Sequence, residues 1–551
     1  MAATRTGMLL KVMQPNVVSR VVSTSSSQKS SNTIALDRTV ASTCPFHKTI
    51  QTVDEAMLPW RNQIDEPIHV SKEKTESKSF ESIPGPKGLP IVGTLFDYLK
   101  KDGLKFSKMH EAYQKRAIDF GPIYKEKIAT INTVVISDPE EYSKVIRSEG
   151  KYPQRRPMEP IAYYREQKGL GLGLVNDQGE EWYKLRTVTA PKLLKMKEAL
   201  DFCVPMSHVG NDFVDHLKSV RQENNEIVGL EKELFKWAFE SIGTFLFEER
   251  VGCFSDPTPK HAKEFIDHLQ EFFKYLQPLM YNVPLYRIYR TKLWKKFEFH
   301  ADKVFELGHY FIEKKVKDLS TTQGLEGDES ESVPFLTYML SQKSLTKDEA
   351  VSTCVDLLTA ATETTSNAML WSLYSLAKHP EVQEKLYQET MNTVGDSTEI
   401  NPENISNLTY VKAFIKETFR TYPITWATSR ITQEDMEIGG HHIPANTHVQ
   451  ANLFGMFRDE NLFPENDQFK PERWMRENKM DAQLKSLSNL IWGHGARMCI
   501  GRRFAEQELH IILTKIVQNF KIEYDHEPIE PVLNTVMTPD RPLVLKFIPR
   551  S

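Results

Sequence analysis

The sequence predicts a mainly α-helical protein with small β-sheets, and two kinds of pattern support this fold class. Apolar residues recur at helical spacing over the long segments 230–248, 261–276 and 292–319. The segment 124–137 is rich in β-branched residues and is typical of a pair of strands. A hydrophobic content of 40% suits a large core. The length of 551 residues alone would suggest roughly three or four domains, but the motifs described below form one set from residue 83 onward, so we expect one large domain.

The first 40 residues predict a targeting segment that precedes this domain. Residues 1–36 are rich in Ser and Thr and carry four basic residues and no acidic one, which is typical of a mitochondrial transit peptide. Their longest apolar run, residues 7–10, is far shorter than the roughly 20 residues that span a bilayer. A plain disordered tail is the alternative. Residues 41–82 are polar and mixed in charge, as expected for a linker.

A stiff, non-helical segment marks the predicted start of the large domain. Residues 83–93 read IPGPKGLPIVG, in which prolines fix φ and glycines supply turns. The five cysteines are odd in number and scattered, which argues against a disulfide framework and for a reducing compartment. The net charge of −4 gives no indication of a polyanionic partner.

The stretch 491–509, IWGHGARMCIGRRFAEQEL, is the strongest indication of function. Cys499 lies in a glycine-bearing loop directly before a helical apolar pattern. The unpaired N–H groups and the dipole of a helix N-terminus favour an anion, so a thiol there tends to ionise. The glycines allow the backbone to approach a flat, bulky group. The alternative is that Cys499 is a small buried hydrophobic residue.

A long helix between Thr346 and Pro380 is the second candidate. Thr346 and Glu349 form a predicted capping box, and the helix would be roughly 48 Å long. Its middle reads AATETT at residues 360–365, and such small and polar residues are poor core choices. A threonine there can bond the carbonyl of the preceding turn. Apolar residues on both sides argue against the alternative, a threonine-rich surface turn.

Two pairs of helical residues are weaker indications when taken alone. Trp182 and Arg186 are four residues apart, so an indole N–H and a guanidinium would share a face and could bind a carboxylate. An ordinary cation–π packing of a tryptophan is the alternative. Glu417 and Arg420 lie three apart, and as a surface pair they would have no significance.

Taken together in chain order, the motifs resemble those of the cytochrome P450 family over about residues 83–551. The AATETT segment resembles the family's A-G-x-D/E-T-T motif, with Ala361 in the place of the usual glycine. The family's cysteine loop has the pattern F-x-x-G-x-R-x-C-x-G, in which a tryptophan replaces the usual phenylalanine here. Its positions are Trp492, Gly495, Arg497, Cys499 and Gly501.

The resemblance implies the cytochrome P450 fold and a haem b monooxygenase with Cys499 as the thiolate ligand of the iron. It also implies that Thr364 holds bound oxygen and its proton and that Glu363 relays protons. Glu417, Arg420 and a later residue, Arg473, would form a structural clamp beside the haem loop. The residues implied to bind the haem propionates are Trp182, Arg186, Arg430 and Arg497.

The lack of a spanning N-terminal helix resembles the mitochondrial branch of the family. That branch implies a sterol, steroid or secosteroid substrate, and an adrenodoxin-type ferredoxin that docks near Lys412 and Lys416. A solvated helix face is the alternative for the two lysines. The apolar segment 276–289, flanked by basic residues, matches the loop that roofs the family's substrate channel and predicts peripheral contact with the matrix side of the inner membrane. A buried connection between helices is the alternative there.

Two other functions stay open at this point. One is a haem-thiolate isomerase or dehydratase that acts on a preformed peroxide and needs neither a proton relay nor a redox partner. The presence of Glu363, Thr364 and the two lysines argues against it. The other is a non-catalytic haem carrier or sensor, which would not consume O₂ when given a reductant and a lipid.

Overall fold

A computed structural model describes residues 77–281, 283–321, 334–475, 487 and 489–550. The predicted transit peptide and residues 41–76 of the predicted linker lie outside these ranges. The described residues divide into two units. The smaller unit, residues 284–291, contains one 3₁₀ turn, Leu285–Arg287, and the larger unit comprises the described residues within 74–283 and 292–551. Within the described ranges, no helix combines the length and the apolar character needed to cross a membrane.

The larger unit is mainly α-helical, as predicted. In chain order its α-helices are α1 Leu95–Leu99, α2 Met109–Phe120, α3 Pro139–Arg147, α4 Glu159–Lys168, α5 Gly173–Asn176, α6 Gly179–Leu194, α7 Met196–Asp201, α8 Cys203–Val220, α9 Leu230–Phe247, α10 Lys260–Tyr281, α11 Lys292–Thr321, α12 Phe335–Ser341, α13 Lys347–Lys378, α14 Pro380–Thr393, α15 Pro402–Asn407, α16 Thr409–Thr421, α17 Leu453–Met456 and α18 Arg502–Asn519.

Short strands form small sheets beside these helices. They are β1 Ile123–Ile128, β2 Ile131–Ile136, β3 Glu226–Ile227, β4 Thr428–Ile431, β5 Met436–Ile438, β6 His441–Ile443, β7 His448–Ala451, β8 Phe520–Glu523, β9 Pro531–Leu533, β10 Met537–Pro539 and β11 Leu545–Pro549. The largest sheet has the order β1-β2-β7-β4, in which β2 and β7 are parallel and the other pairs antiparallel. The predicted strand pair at 124–137 is β1 and β2.

The remaining strands are antiparallel. One sheet has the order β3-β11-β8, and β5-β6 and β9-β10 form two-stranded sheets. Before the first helix, the backbone of Lys78 pairs with the β5-β6 sheet: its N–H donates to the carbonyl of Gly440 at 2.8 Å and its carbonyl accepts from His442 at 2.8 Å.

Helix α13 passes through the core, and its ends follow from local chemistry. The Thr346 hydroxyl accepts from the N–H of Glu349 at 3.2 Å, and the Glu349 carboxylate accepts from the N–H of Thr346 at 2.8 Å. Pro380 follows the last residue closely, because proline disfavours a helical residue before it. The 32 residues span about 48 Å, and most are buried against α9, α11 and α18.

Helix α10 extends five residues beyond its predicted end at Leu276. Pro278 lies within the helix, although proline lacks the N–H that the ladder uses. Leu276 and Leu279 on either side of it are buried. Their packing therefore offsets the loss of one hydrogen bond, and the helix continues to Tyr281.

A buried carboxylate on α16 forms the clamp that the sequence predicts. Glu417 is 0% exposed, and its oxygens accept from Arg420 at 2.9 and 3.0 Å and from Arg473 at 3.1 Å. The indole of Trp474 and the backbone N–H of Lys470 each donate to it at 2.8 Å. A buried charge is tolerable only with such paired donors.

The clamp joins the chain after β7 to the cysteine loop. The Arg420 guanidinium also donates to the carbonyls of Phe457, Asn466 and Gln468 at 2.8–3.1 Å. On the same helix, the Phe419 ring packs edge-on against Trp492, with ring centroids 5.6 Å apart. Helix α16 thereby fixes the first aromatic residue of the loop that carries Cys499.

Replacing Glu417 by glutamine should lower the free energy of unfolding by about 3–5 kcal/mol, because it leaves buried guanidinium groups without their counter-charge. Denaturant unfolding followed by circular dichroism measures the change. In the control Asp119→Asn, the lost carboxylate pairs with Lys115 at the surface at 3.4 Å, and the expected change is below about 1 kcal/mol. Equal effects of the two substitutions would contradict the structural role of Glu417.

Candidate active site

The loop before α18 places Cys499 beside a helix N-terminus, as its sequence predicts. The Cys499 N–H donates to the Trp492 carbonyl at 2.7 Å, and the N–H of Gly501 bonds the thiol. Gly493 and Gly495 have φ of 78° and 70°, which favour glycine. A Cβ on Gly495 would also lie 2.6 Å from a carboxylate oxygen of Glu149.

The electrostatics of the thiol differ from the expectation of a lowered pKa. Burial raises the pKa of Cys499, although the Gly501 N–H and the Arg186 guanidinium oppose that shift. The expected lowering is therefore wrong for the polypeptide alone, because burial has the larger effect. The Cys499 side chain is exposed although Met498 and Ile500 are buried, so the sulfur faces an opening inside the protein. A bound cation there would deprotonate a coordinating thiol.

Four arginines, which we call the arginine cluster, surround this position: Arg155, Arg186, Arg430 and Arg497. Burial, followed by repulsion from the other three, lowers the pKa of Arg497 to about 9. Burial is also the largest cause that lowers the pKa of Arg155 and of Arg186 to about 10. Glu149 is the carboxylate among them and pairs with Arg430. One carboxylate cannot neutralise four guanidinium groups, so the cluster favours further anions.

Arg497 has an unused donor. Its Nε donates to the Pro153 carbonyl at 2.9 Å, and its Nη2 to the Asp177 carbonyl at 2.8 Å and to Gln178 at 2.9 Å. Its Nη1 is buried and has no hydrogen-bond partner. Buried donors are normally satisfied, so this atom indicates a missing acceptor such as a carboxylate. A planar group with carboxylates and a metal ion that accepts a thiolate fits these residues.

Helix α6 reaches the cluster with both residues of the predicted Trp–Arg pair. Trp182 is 2% exposed and lies under Arg497, whose Cζ is 3.9 Å from the ring centroid. Arg186 donates from Nη2 to the Met498 carbonyl at 2.8 Å. The structure thus brings the two residues to one place, but the cation–π partner of Trp182 is Arg497 and not Arg186.

Strand β4 positions Arg430 between the cysteine loop and α3. Its Nε donates to Glu149, and its Nη2 donates to the His494 carbonyl at 2.9 Å. Glu149, which follows α3, and Arg155 were not predicted from the sequence as site residues. Arg155 donates from Nη2 to the Val175 carbonyl at 3.1 Å. Prolines on both sides of the Arg155–Arg156 pair were the available signal, but burial of a charge is a tertiary property.

The middle of α13 presents an acid and a hydroxyl. Thr364 and Ala360 are exposed, whereas Glu363 and Thr365 beside them are buried. The Thr364 hydroxyl donates to the Ala360 carbonyl at 2.8 Å, which is the back-bond that the sequence predicts. Glu363 is 5% exposed, and burial raises the pKa of its carboxyl to about 8. Glu363 is therefore largely protonated at neutral pH and can give up a proton.

The two lysines of α16 lie on the helix that carries Glu417. Lys416 is exposed, and Lys412 is half-buried with its Nζ donating to the Ser406 carbonyl at 3.0 Å. At the start of α18, Arg502 pairs with Glu506 at 2.9 Å, so its charge is partly neutralised within the protein.

Comparisons with known proteins agree with this geometry. A model of the family described as cytochrome P450 matches residues 83–547. Cytochrome P450 10 of Lymnaea stagnalis is 52% identical over 98% of both chains. The mitochondrial 1,25-dihydroxyvitamin D(3) 24-hydroxylase of Mus musculus is 31% identical over 86% of this chain and 90% of its own length.

A third relative is the mitochondrial sterol 26-hydroxylase of Rattus norvegicus. It is 30% identical over 87% of this chain and 91% of its own length. Family proteins hold haem b through a cysteine thiolate, which is the chemistry that an exposed thiol among unneutralised arginines fits. The chain belongs to the cytochrome P450 family of haem monooxygenases.

Proposed function

We propose that the protein uses Cys499 to bind haem and inserts one oxygen atom from O₂ into a C–H bond of a sterol, steroid or secosteroid. The observation that carries the haem assignment is the excess of arginines over carboxylates around the exposed Cys499 thiol. When bound, the haem supplies the activation of O₂. The names of the hydroxylase relatives support the substrate class.

The arginine cluster and Trp182 bind and orient the cofactor through its carboxylates. Arg497 offers its unpaired Nη1, and Arg186 contributes a charge that Glu149 does not neutralise, because Glu149 pairs with the neighbouring Arg430. Trp182 keeps the Arg497 guanidinium in place by stacking under it. Binding of two carboxylates would relieve the repulsion that, after burial, lowers the pKa values of Arg186 and Arg497.

Glu363 and Thr364 supply the proton that the reaction consumes. Glu363 holds a proton on its carboxyl at neutral pH because its burial disfavours the charged form. Thr364 is the next residue, and its hydroxyl is exposed and can turn from the Ala360 carbonyl toward a ligand. A buried acid next in sequence to an exposed hydroxyl would provide the site with a proton source, which a carrier or a peroxide isomerase does not need.

We place the protein on the matrix side of the inner mitochondrial membrane, directed there by residues 1–40. Several relatives are named as mitochondrial hydroxylases, which supports this location. Leu285, Ile288 and Tyr289 are exposed apolar residues that could rest on a membrane surface. Electrons come from an acidic ferredoxin that docks at Lys412 and Lys416.

The haem assignment is tested with Cys499→Ala. The reduced, carbon-monoxide-bound wild type should show a strongly red-shifted Soret band, and the variant should lose it because no thiolate remains. The absorption spectrum of purified protein measures this. Cys203→Ala removes a buried thiol elsewhere in the protein and should keep the band. A red-shifted band in Cys499→Ala would exclude Cys499 as the ligand.

The buried acid makes stability depend on pH. Above pH 4.5 an unfolded Glu363 is ionised, whereas the native carboxyl keeps its proton up to about pH 8. Unfolding therefore releases a proton, and the free energy of unfolding falls by about 1.4 kcal/mol per pH unit within that window. Glu363→Gln should lose this slope, which thermal unfolding at pH 5 and pH 8 measures.

Glu508 on α18 provides a matched control, because burial raises its pKa to about 8 as well. Glu508→Gln should also lose its share of the pH slope. Product formed per reducing equivalent should fall in Glu363→Gln and stay near wild type in Glu508→Gln. An equal fall in both variants would contradict a proton role specific to Glu363.

The docking of the electron donor is tested with Lys412→Gln and Lys416→Gln. Each variant should raise the KM for an adrenodoxin-type ferredoxin about fivefold, the equivalent of one exposed ion pair of about 1 kcal/mol, and should weaken its salt dependence. Turnover of a sterol and secosteroid panel at low and high salt measures this. Lys115→Gln on α2, also an exposed lysine, should have no effect. An unchanged KM would place the ferredoxin elsewhere.

A further inference from the structure

Two histidines face each other across the helix pair α10 and α11, away from the residues discussed above. The Nδ1 atom of His268 on α10 lies 3.0 Å from the Nδ1 atom of His300 on α11. Both rings are half-buried, so a small solute can reach them. The two helices pack along each other, which fixes the spacing of the rings.

Both imidazoles are neutral at physiological pH. Burial, followed by the charge of Lys303, lowers the pKa of His268. Burial, followed by His268 itself, lowers the pKa of His300. The hydrogen bond between the rings uses one Nδ1–H. A shift of that proton to Nε2 leaves two unprotonated Nδ1 atoms 3.0 Å apart, with no change in charge, and a small rotation of each ring would direct both lone pairs at one ion.

We propose that His268 and His300 bind one divalent transition-metal ion between their Nδ1 atoms and that this ion joins α10 to α11. Metal–nitrogen bonds of about 2.0–2.1 Å across this gap give an angle of about 90° at the metal. That angle belongs to square-planar or octahedral coordination. The site should therefore prefer Cu²⁺ or Ni²⁺ to tetrahedral Zn²⁺.

Water completes most of the coordination. Within the described part of the chain, no group of three or more His, Cys, Asp and Glu side chains is arranged to hold a metal. Glu271 follows His268 by three residues and lies near enough to His300 to oppose the lowering of its pKa. It now accepts from Lys274 at 2.7 Å. A site with two imidazoles and water ligands exchanges its ion, unlike a closed structural site.

A bridging ion would stabilise the packing of α10 against α11, and α11 in turn packs on α13. Helix α11 packs closely on α13, since a Cβ on Gly308 would lie 2.9 Å from Val355. The ion needs both helices in their native places and binds the unfolded chain more weakly. It should therefore raise the thermal unfolding midpoint with increasing metal concentration.

The test titrates tag-free, haem-loaded protein with CuCl₂ in chelator-treated buffer. We expect one saturable site, an axial Cu²⁺ electron paramagnetic resonance signal with coupling to two nitrogens, and a rise in Tm. His268→Gln and His300→Gln retain a side chain that can hydrogen-bond, but each removes one imidazole. Each should weaken Cu²⁺ affinity by more than about tenfold without a large change in the metal-free Tm.

His261→Ala is the matched control on the same helix, since the His261 ring packs against Tyr310 of α11. It should leave the affinity for Cu²⁺ unchanged, and NiCl₂ should bind more tightly than ZnCl₂. An unchanged Cu²⁺ signal in His268→Gln or His300→Gln would overturn the proposal. Absence of saturable binding in the wild type would do so as well, and the pair would then be a hydrogen bond only.

Discussion

The Glu417 carboxylate is the contact on which the position of the cysteine loop depends. A fully buried charge is costly, and the protein accepts this cost because four groups donate to the two oxygens. Those donors tie the chain between residues 457 and 474 to α16. Two residues further along that helix, Phe419 packs against Trp492, whose carbonyl accepts from the Cys499 N–H. Loss of the carboxylate would therefore act on the loop through packing rather than through charge.

In the arginine cluster, unlike at Glu417, the charges are not balanced within the chain. At Glu417 the carboxylate has all its partners within the chain, whereas the four guanidinium groups of the cluster share one carboxylate, Glu149. Burial, followed by repulsion from neighbouring arginines, lowers the pKa values of Arg155, Arg186 and Arg497, and the Nη1 of Arg497 has no hydrogen-bond partner. An apoprotein with such a cluster is less stable than its packing allows, and an anionic ligand recovers the difference. If the arginine cluster binds the cofactor as proposed, cofactor binding and folding are coupled through the same residues.

The sequence predicted most where chemistry is local. The capping box at Thr346 and the proline after Lys378 placed both ends of α13, and the spacing before α18 placed Cys499 beside a helix N-terminus. The sequence predicted least about features that depend on which side chains are buried. The end of α10 was misplaced because buried leucines compensate for Pro278, and the Cys499 pKa was misjudged because burial exceeds the effect of the helix dipole. Glu149 and Arg155 were missed because no local pattern distinguishes a buried charge from an exposed one.

Two buried acids show why a raised pKa does not by itself identify a catalytic group. Burial raises the pKa of both Glu363 and Glu508 to about 8, so both are largely neutral at physiological pH and both reduce stability as pH rises. Their surroundings differ: Glu508 acts with the buried Ser241, whereas Glu363 precedes an exposed hydroxyl in the middle of α13. The exposed side chain of the residue next to Glu363 is the feature that distinguishes this acid from Glu508. A haem carrier gains nothing from that arrangement, while a monooxygenase requires a proton source at the reacting oxygen.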